Sequence, residues 1–270
     1  MKKNLTILTA SYTVFIFFLF LSGAFSGFLS DVIYYLAFII PITLALLLTC
    51  KELGDMREYL TIDREGISLA WPVIFPTIAM TMLISYLTSL LIFAVTGKTN
   101  YVELGDSYIL ALINHALLPA ILEEALFRYL PMKLIAPYSK RGAIFISAIF
   151  FALVHHNLFT IPYAFFCGVV FMALALATES IIPTIVLHFI NNALSVSLGF
   201  IFYDGAALML YIWIGLMTLL SAIYIYRKRD NYWIAMLMIS DKGEGMMITT
   251  EMVLFALVTL GIAVMNLLLS

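Results

Sequence analysis

The chain has 270 residues, of which 64% are hydrophobic and 11% charged, and its net charge is -2. A water-soluble domain carries roughly a quarter charged residues, so this composition excludes one and points to a bilayer. With so little net charge there is no basic surface to follow a phosphate backbone, which excludes nucleic acid as a partner.

Taken in chain order, the apolar runs predict nine helices near the roughly 20-residue length that crosses hydrocarbon. They cover residues 5–29, 32–50, 71–95, 107–134, 142–156, 159–178, 181–203, 206–226 and 250–269. The fifth is short, and its helix is expected to tilt or to lie partly buried. The expected fold is all-α, a polytopic transmembrane bundle of eight to nine spans. Lys2 and Lys3 precede the first run as in a signal peptide, but that run exceeds the roughly 7–15 residues of a cleaved segment. It reads as a retained anchor. Cys50 and Cys167 lie in separate apolar runs and read as buried free thiols, with no disulfide and no metal site.

Threading nine spans from a cytoplasmic N-terminus puts 12 basic residues on the cytoplasmic side: Lys2, Lys3, Lys51, Arg57, Arg64, Lys133, Lys140, Arg141, Arg227, Lys228, Arg229 and Lys242. Only Lys98 falls on the other side, and Arg128 lies within a span. That bias is the one expected of cytoplasmic loops. The expected division is N-terminal helices and a loop over 1–106, a catalytic core over 107–226, and a connector with a last helix over 227–270. Part of 227–249 has the pattern of a helix lying along the membrane surface. The short Lys-bearing start and compact chain suggest a prokaryotic cell membrane.

Ionisable groups inside a span are costly and mark function by default. Glu123, Glu124 and Arg128 interrupt the fourth run, His155 and His156 close the fifth, and His188, Asn191 and Asn192 interrupt the seventh. Glu124 and Arg128 are four apart and pair on one helix face. Glu123 is about 100° round the helix from Glu124 and is left for chemistry. His188 and Asn192 project to one side from adjacent turns. Phe151 sets an aromatic ring beside His155.

A carboxylate beside an imidazole can activate water. A second His and an amide can donate to a developing oxyanion. Together these are a minimum set for peptide hydrolysis. Glu and two His could instead hold zinc with an open position, although no H-E-x-x-H motif is present. The aspartyl and rhomboid intramembrane signatures are absent too: Leu104-Gly105-Asp106 and Gly23-Ala24-Phe25-Ser26-Gly27 do not match them.

Glu123-Glu124-x-x-x-Arg128, Phe151-x-x-x-His155 and His188-x-x-x-Asn192, in that order and in spans, resemble the signature of the type II CAAX prenyl endopeptidases within the wider CAAX protease and bacteriocin-processing (ABI) family. The resemblance covers the fourth to seventh spans. It implies an intramembrane glutamate-dependent endopeptidase without a cofactor or metal. Glu123 and His155 would activate water, His188 and Asn192 would form the oxyanion hole, and Glu124 and Arg128 would be a supporting pair. The implied partners are the lipid bilayer and a membrane-associated peptide or prenylated protein substrate.

Other readings remain open on the residues alone. The chain could be a non-catalytic membrane scaffold or bacteriocin-immunity protein, a metal-dependent version of the protease, or a proton-coupled transporter. Taken singly, Glu124 and Arg128 read as a salt bridge near the interface with Arg128 snorkelling. His188 and Asn192 read as glue between helices. His115 reads as a packing or cavity residue, and His156 as an interface residue.

Overall fold

The computed structural model describes residues 2–49, 59–99, 107–201, 206–232 and 249–269. All regular structure among them is helical. The first three long helices are α1 (Lys2–Gly23), α2 (Phe28–Leu48) and α4 (Ile74–Thr96). The short α3 (Arg64–Ala70) leads into α4 and starts on Asp63, whose carboxylate accepts from the Gly66 amide at 2.7 Å. Next comes one long irregular helix made of α5 (Tyr108–Leu112), α6 (Leu118–Glu124) and α7 (Leu130–Leu134), with π turns at Ile113–Leu117 and Ala125–Tyr129. Then follow α8 (Lys140–Leu153), α9 (Ile161–Thr178), α10 (Ile182–Ile201), α11 (Ala206–Arg227) and α12 (Thr250–Leu269).

Among the described residues, eight helices are long and apolar enough to cross a membrane, so this is an integral membrane bundle. The fifth predicted span is corrected. α8 has 14 residues, which at 1.5 Å per residue is about 21 Å and falls short of the ~30 Å hydrocarbon core. It is held by partners rather than by lipid, with Ala143, Ile146, Ala148, Phe150 and Phe151 all buried.

The helices alternate in direction between two ends. At one end, Tyr59, Met132, Lys140, Glu179 and Lys228 line a common cavity. There the Ile181 amide donates to the Tyr59 carbonyl at 3.0 Å, the Lys133 ammonium lies 4.2 Å from the Tyr59 ring centre, and Asn4 donates to the Leu134 carbonyl at 3.2 Å. At the other end, the Lys98 ammonium donates to the carbonyls of Leu267 and Leu268, at 2.5 and 3.1 Å. The threading by charge and the folded chain therefore sort the described basic residues alike. Cys167 is a buried free thiol 3.3 Å from the Thr81 hydroxyl. Cys50, Lys51, Arg57, Lys242 and most of the 227–249 connector lie outside the described residues.

Aromatic rings form the core behind α7 and α8. Tyr12 stacks on Phe127 at 5.0 Å and lies tilted against Phe150 at 4.6 Å, and Phe150 meets Phe255 of α12 at 4.4 Å. α8 and α9 form a close antiparallel hairpin, and Gly168 is what permits it. A Cβ there would lie 2.6 Å from the Ala148 Cα, a backbone atom that cannot swing aside. Gly168→Ala is expected to destabilise the bundle by about 1–3 kcal/mol, the usual cost of overpacking. Gly215→Ala, with nothing within 4 Å of the added carbon, is expected to be neutral or stabilising. Thermal unfolding of both variants in detergent checks the contrast, and equal midpoints would refute it.

Candidate active site

The site is built on the irregular helix. Pro131 has no N–H, so the Phe127 carbonyl loses its helical donor. A buried carbonyl needs another partner, and the Ser147 hydroxyl of α8 supplies one at 2.5 Å. Ser147 also lies 3.5 Å from Arg128 Nη1. The two π turns bracket Glu123 and Glu124, and such turns often occur at functional sites.

Glu124 is the hub. One carboxylate oxygen is 3.1 Å from Arg128 Nε, and both side chains are 0% exposed. The other accepts from His188 Nδ1 at 2.9 Å. Thr184, one turn before His188 on α10, donates its hydroxyl to the Ile181 carbonyl at 2.8 Å. The Arg128 guanidinium lies over the Phe151 ring at 4.3 Å and over Phe171 at 5.2 Å. A buried cation is tolerable only with such partners. Arg128 Nε faces Glu124 without good hydrogen-bond alignment, so that contact is an ion pair first.

Glu123 differs from its neighbour in environment. Its side chain is 16% exposed, and its Oε2 lies 3.8 Å from His188 Nε2, beyond hydrogen-bond reach. Tyr34 of α2 and Tyr163 of α9 are near enough to interact with its charge. His155 sits just past the end of α8 and its Nδ1 contacts the Phe151 carbonyl at 2.7 Å. A carbonyl only accepts, so Nδ1 carries the proton and Nε2 holds the lone pair of the neutral ring. The rings of Phe151 and His155 are 5.1 Å apart and those of Phe151 and His188 are 5.8 Å apart. Glu123, His188 and Arg128 are all near enough to act electrostatically on His155. Asn192 is partly exposed, and its Oδ1 accepts from Asn191 Nδ2 at 3.2 Å. That bond leaves the Asn192 amide hydrogens for another acceptor.

The three motifs thus meet, and residues 105–194, which contain all seven of their named positions, match the family model of the type II CAAX prenyl endopeptidase Rce1-like proteins. That stretch is similar to the Rce1-like family. No curated protein and no solved structure matches it. The Rce1-like match supports CAAX-type intramembrane protease activity, a hydrolase class whose substrates are membrane-associated prenylated proteins.

Three expectations are corrected within this stretch. Arg128 does not snorkel, because Glu124, Phe151 and Phe171 hold it inside. His115 is exposed rather than packed. It lies within the π turn Ile113–Leu117, where the i→i+5 pattern departs from the 3.6-residue register. His156 is buried, at 8% exposure, against Phe20. The bond from His188 to Glu124 and the bond from Ser147 to the Phe127 carbonyl were not foreseen. The available signal for the second was a lone Ser147 one turn before Phe151. Among the described residues, no three His, Cys, Asp or Glu side chains are grouped as metal ligands.

Removing one member of a buried ion pair costs about 3–5 kcal/mol, because the other charge is left unpaired. Arg128→Met is therefore expected to lower the unfolding midpoint strongly. Arg229→Met is expected to leave it unchanged, since Arg229 and Asp230 are 68% and 90% exposed and 3.9 Å apart. Comparable losses from both would sink the buried-hub account.

Proposed function

We propose that this protein is a glutamate-dependent intramembrane endopeptidase, and that Glu123 and His155 activate the attacking water. The observation that carries the reading is the division of labour between adjacent carboxylates. Glu124 is fully buried and occupied by Arg128 and His188, while Glu123 is partly exposed beside His188 and His155.

In this reading a water between Glu123 and the His155 Nε2 lone pair loses a proton as its oxygen attacks the scissile carbonyl carbon. The carbonyl becomes an oxyanion and accepts from His188 Nε2–H and the Asn192 amide. Collapse breaks the C–N bond, and the proton taken from water goes to the leaving nitrogen. His188 Nδ1 already donates to Glu124, so Nε2 donates only when the ring is an imidazolium. The carboxylates on either side, Glu124 at 2.9 Å and Glu123 at 3.8 Å, are the partners that form needs. Arg128 and Glu124 hold the ring rather than react.

The substrate is a membrane-associated peptide or prenylated protein. The end carrying Lys2, Lys3, Arg64, Lys133, Lys140, Arg141 and Arg227 faces the cytoplasm, as the positive-inside bias requires. Residues 107–226 form the catalytic core.

Cleavage of a quenched fluorescent farnesylated CAAX peptide by detergent-purified protein tests this. Glu123→Gln and His155→Ala should each lose on the order of a hundredfold or more in rate, as loss of general-base catalysis costs, while remaining folded and inserted. Activity should persist with a strong chelator. Loss to chelator would favour a metal-dependent protease. Full activity in Glu123→Gln would overturn the mechanism, and folded wild type without cleavage of this or other membrane peptides would favour a scaffold.

A further inference from the structure

His155 is followed by a residue in an unusual conformation. His156 has φ +50°, in the left-handed region that non-glycine residues rarely adopt. The amides of His155 and His156 close the end of α8 on the carbonyls of Ala152 and Leu153, at 3.3 and 3.2 Å. Such strain persists only where surrounding structure over-determines it. Two elements from elsewhere in the chain do so. Phe20 of α1 packs on the His156 ring at 5.3 Å, and Asn266 of α12 donates from Nδ2 to the His156 carbonyl at 3.0 Å. α12 is itself pinned one residue further on, where Lys98 at the end of α4 caps the Leu267 and Leu268 carbonyls. Cations are favourable at a helix C-terminus. Lys98 is the basic residue that the charge bias leaves on the far side, and this contact gives it a structural task.

We propose that Asn266 is a positioning residue for His155, acting through the His156 carbonyl, and that α12 belongs to the functional core rather than to an appended anchor. The chain of contacts runs from Lys98 to the end of α12, from Asn266 to the turn at His156, and from that turn to the His155 ring. Without the Asn266 donor, the turn relaxes toward ordinary backbone geometry and carries the imidazole with it. The catalytic half of this inference rests on His155 acting as proposed above, but the ordering of the turn does not.

The test uses the full-length protein and four substitutions: Asn266→Ala, Asn266→Asp, Asn266→Gln and His155→Ala. Asn266→Asp keeps the shape and removes the donor, and Asn266→Gln keeps a donor. Hydrogen exchange is read first and needs no substrate. Asn266→Ala and Asn266→Asp should speed amide exchange in the turn over 154–158 by about fivefold or more, as loss of one hydrogen bond allows, with α10 unchanged. On the farnesylated peptide, both should lower kcat on the order of tenfold to a hundredfold with KM nearly unchanged, as misplacement of a reacting group does. Asn266→Gln should recover part of both. Unaltered exchange at the turn overturns the inference outright. Altered exchange with kcat intact, while His155→Ala is inactive, overturns the catalytic link and leaves the proposed function standing. Full activity in His155→Ala removes the proposed function instead, and exchange alone then decides the structural half.

Discussion

A fully buried guanidinium in an apolar helical bundle is the constraint on which the rest of this structure depends. Arg128 cannot reach water, so its charge must be met inside. Glu124 meets it from the same helix, and Phe151 and Phe171 meet its faces from α8 and α9. Each partner then requires its own helix to be close. α8 is too short to be held by lipid and is held instead by the tight crossing at Gly168 and Ala148. Ser147 on the same helix takes over the carbonyl that Pro131 frees. The short helix, the glycine and the proline all belong to the packing that surrounds this one buried charge.

The same arrangement sets the surroundings of the neighbouring residue. Adjacent side chains on a helix point about 100° apart, so a helix that buries Glu124 turns Glu123 toward a different space. Glu124 spends its two oxygens on Arg128 and His188 and fixes which imidazole nitrogen points at Glu123. Phe151 acts on both histidines, through its carbonyl to His155 and through its ring to His188. A carboxylate and two imidazoles with settled orientations result from packing, before any substrate arrives. Preorganisation of this kind is what polar sites in a low-dielectric interior do well.

Much of this was legible in the sequence, for identifiable reasons. Hydropathy runs place spans because lipid leaves no other way to satisfy the backbone. The Glu124–Arg128 pair follows from spacing alone. Contacts between distant segments were not legible: Glu124 and His188 are 64 residues apart, and nothing local announces their bond. The expected packing role of His115 failed where the helix is not regular, since it lies exposed within a π turn. Polar residues at span ends were read as interfacial, yet Arg128 and His156 are both inside. Position along a span gives depth in the bilayer, but whether a neighbour covers that depth depends on the fold.

The balance of polar groups also bears on what kind of protein this is. A bundle that needs only to hold its helices together can use hydroxyls and amides, which bond across helices at modest cost. Thr81 and Ser147 do that here. Glu124 and Arg128 are explained as a pair, and His188 as their neighbour. Glu123 is not explained by packing. Its carboxylate stands 3.8 Å from His188 Nε2, outside hydrogen-bond reach, and it is partly open within a span, where a carboxylate is expensive. A structural role would have been served by Gln at lower cost, without the charge. What a carboxylate adds over an amide at that position is the capacity to take a proton from water, which is what the proposed mechanism asks of it.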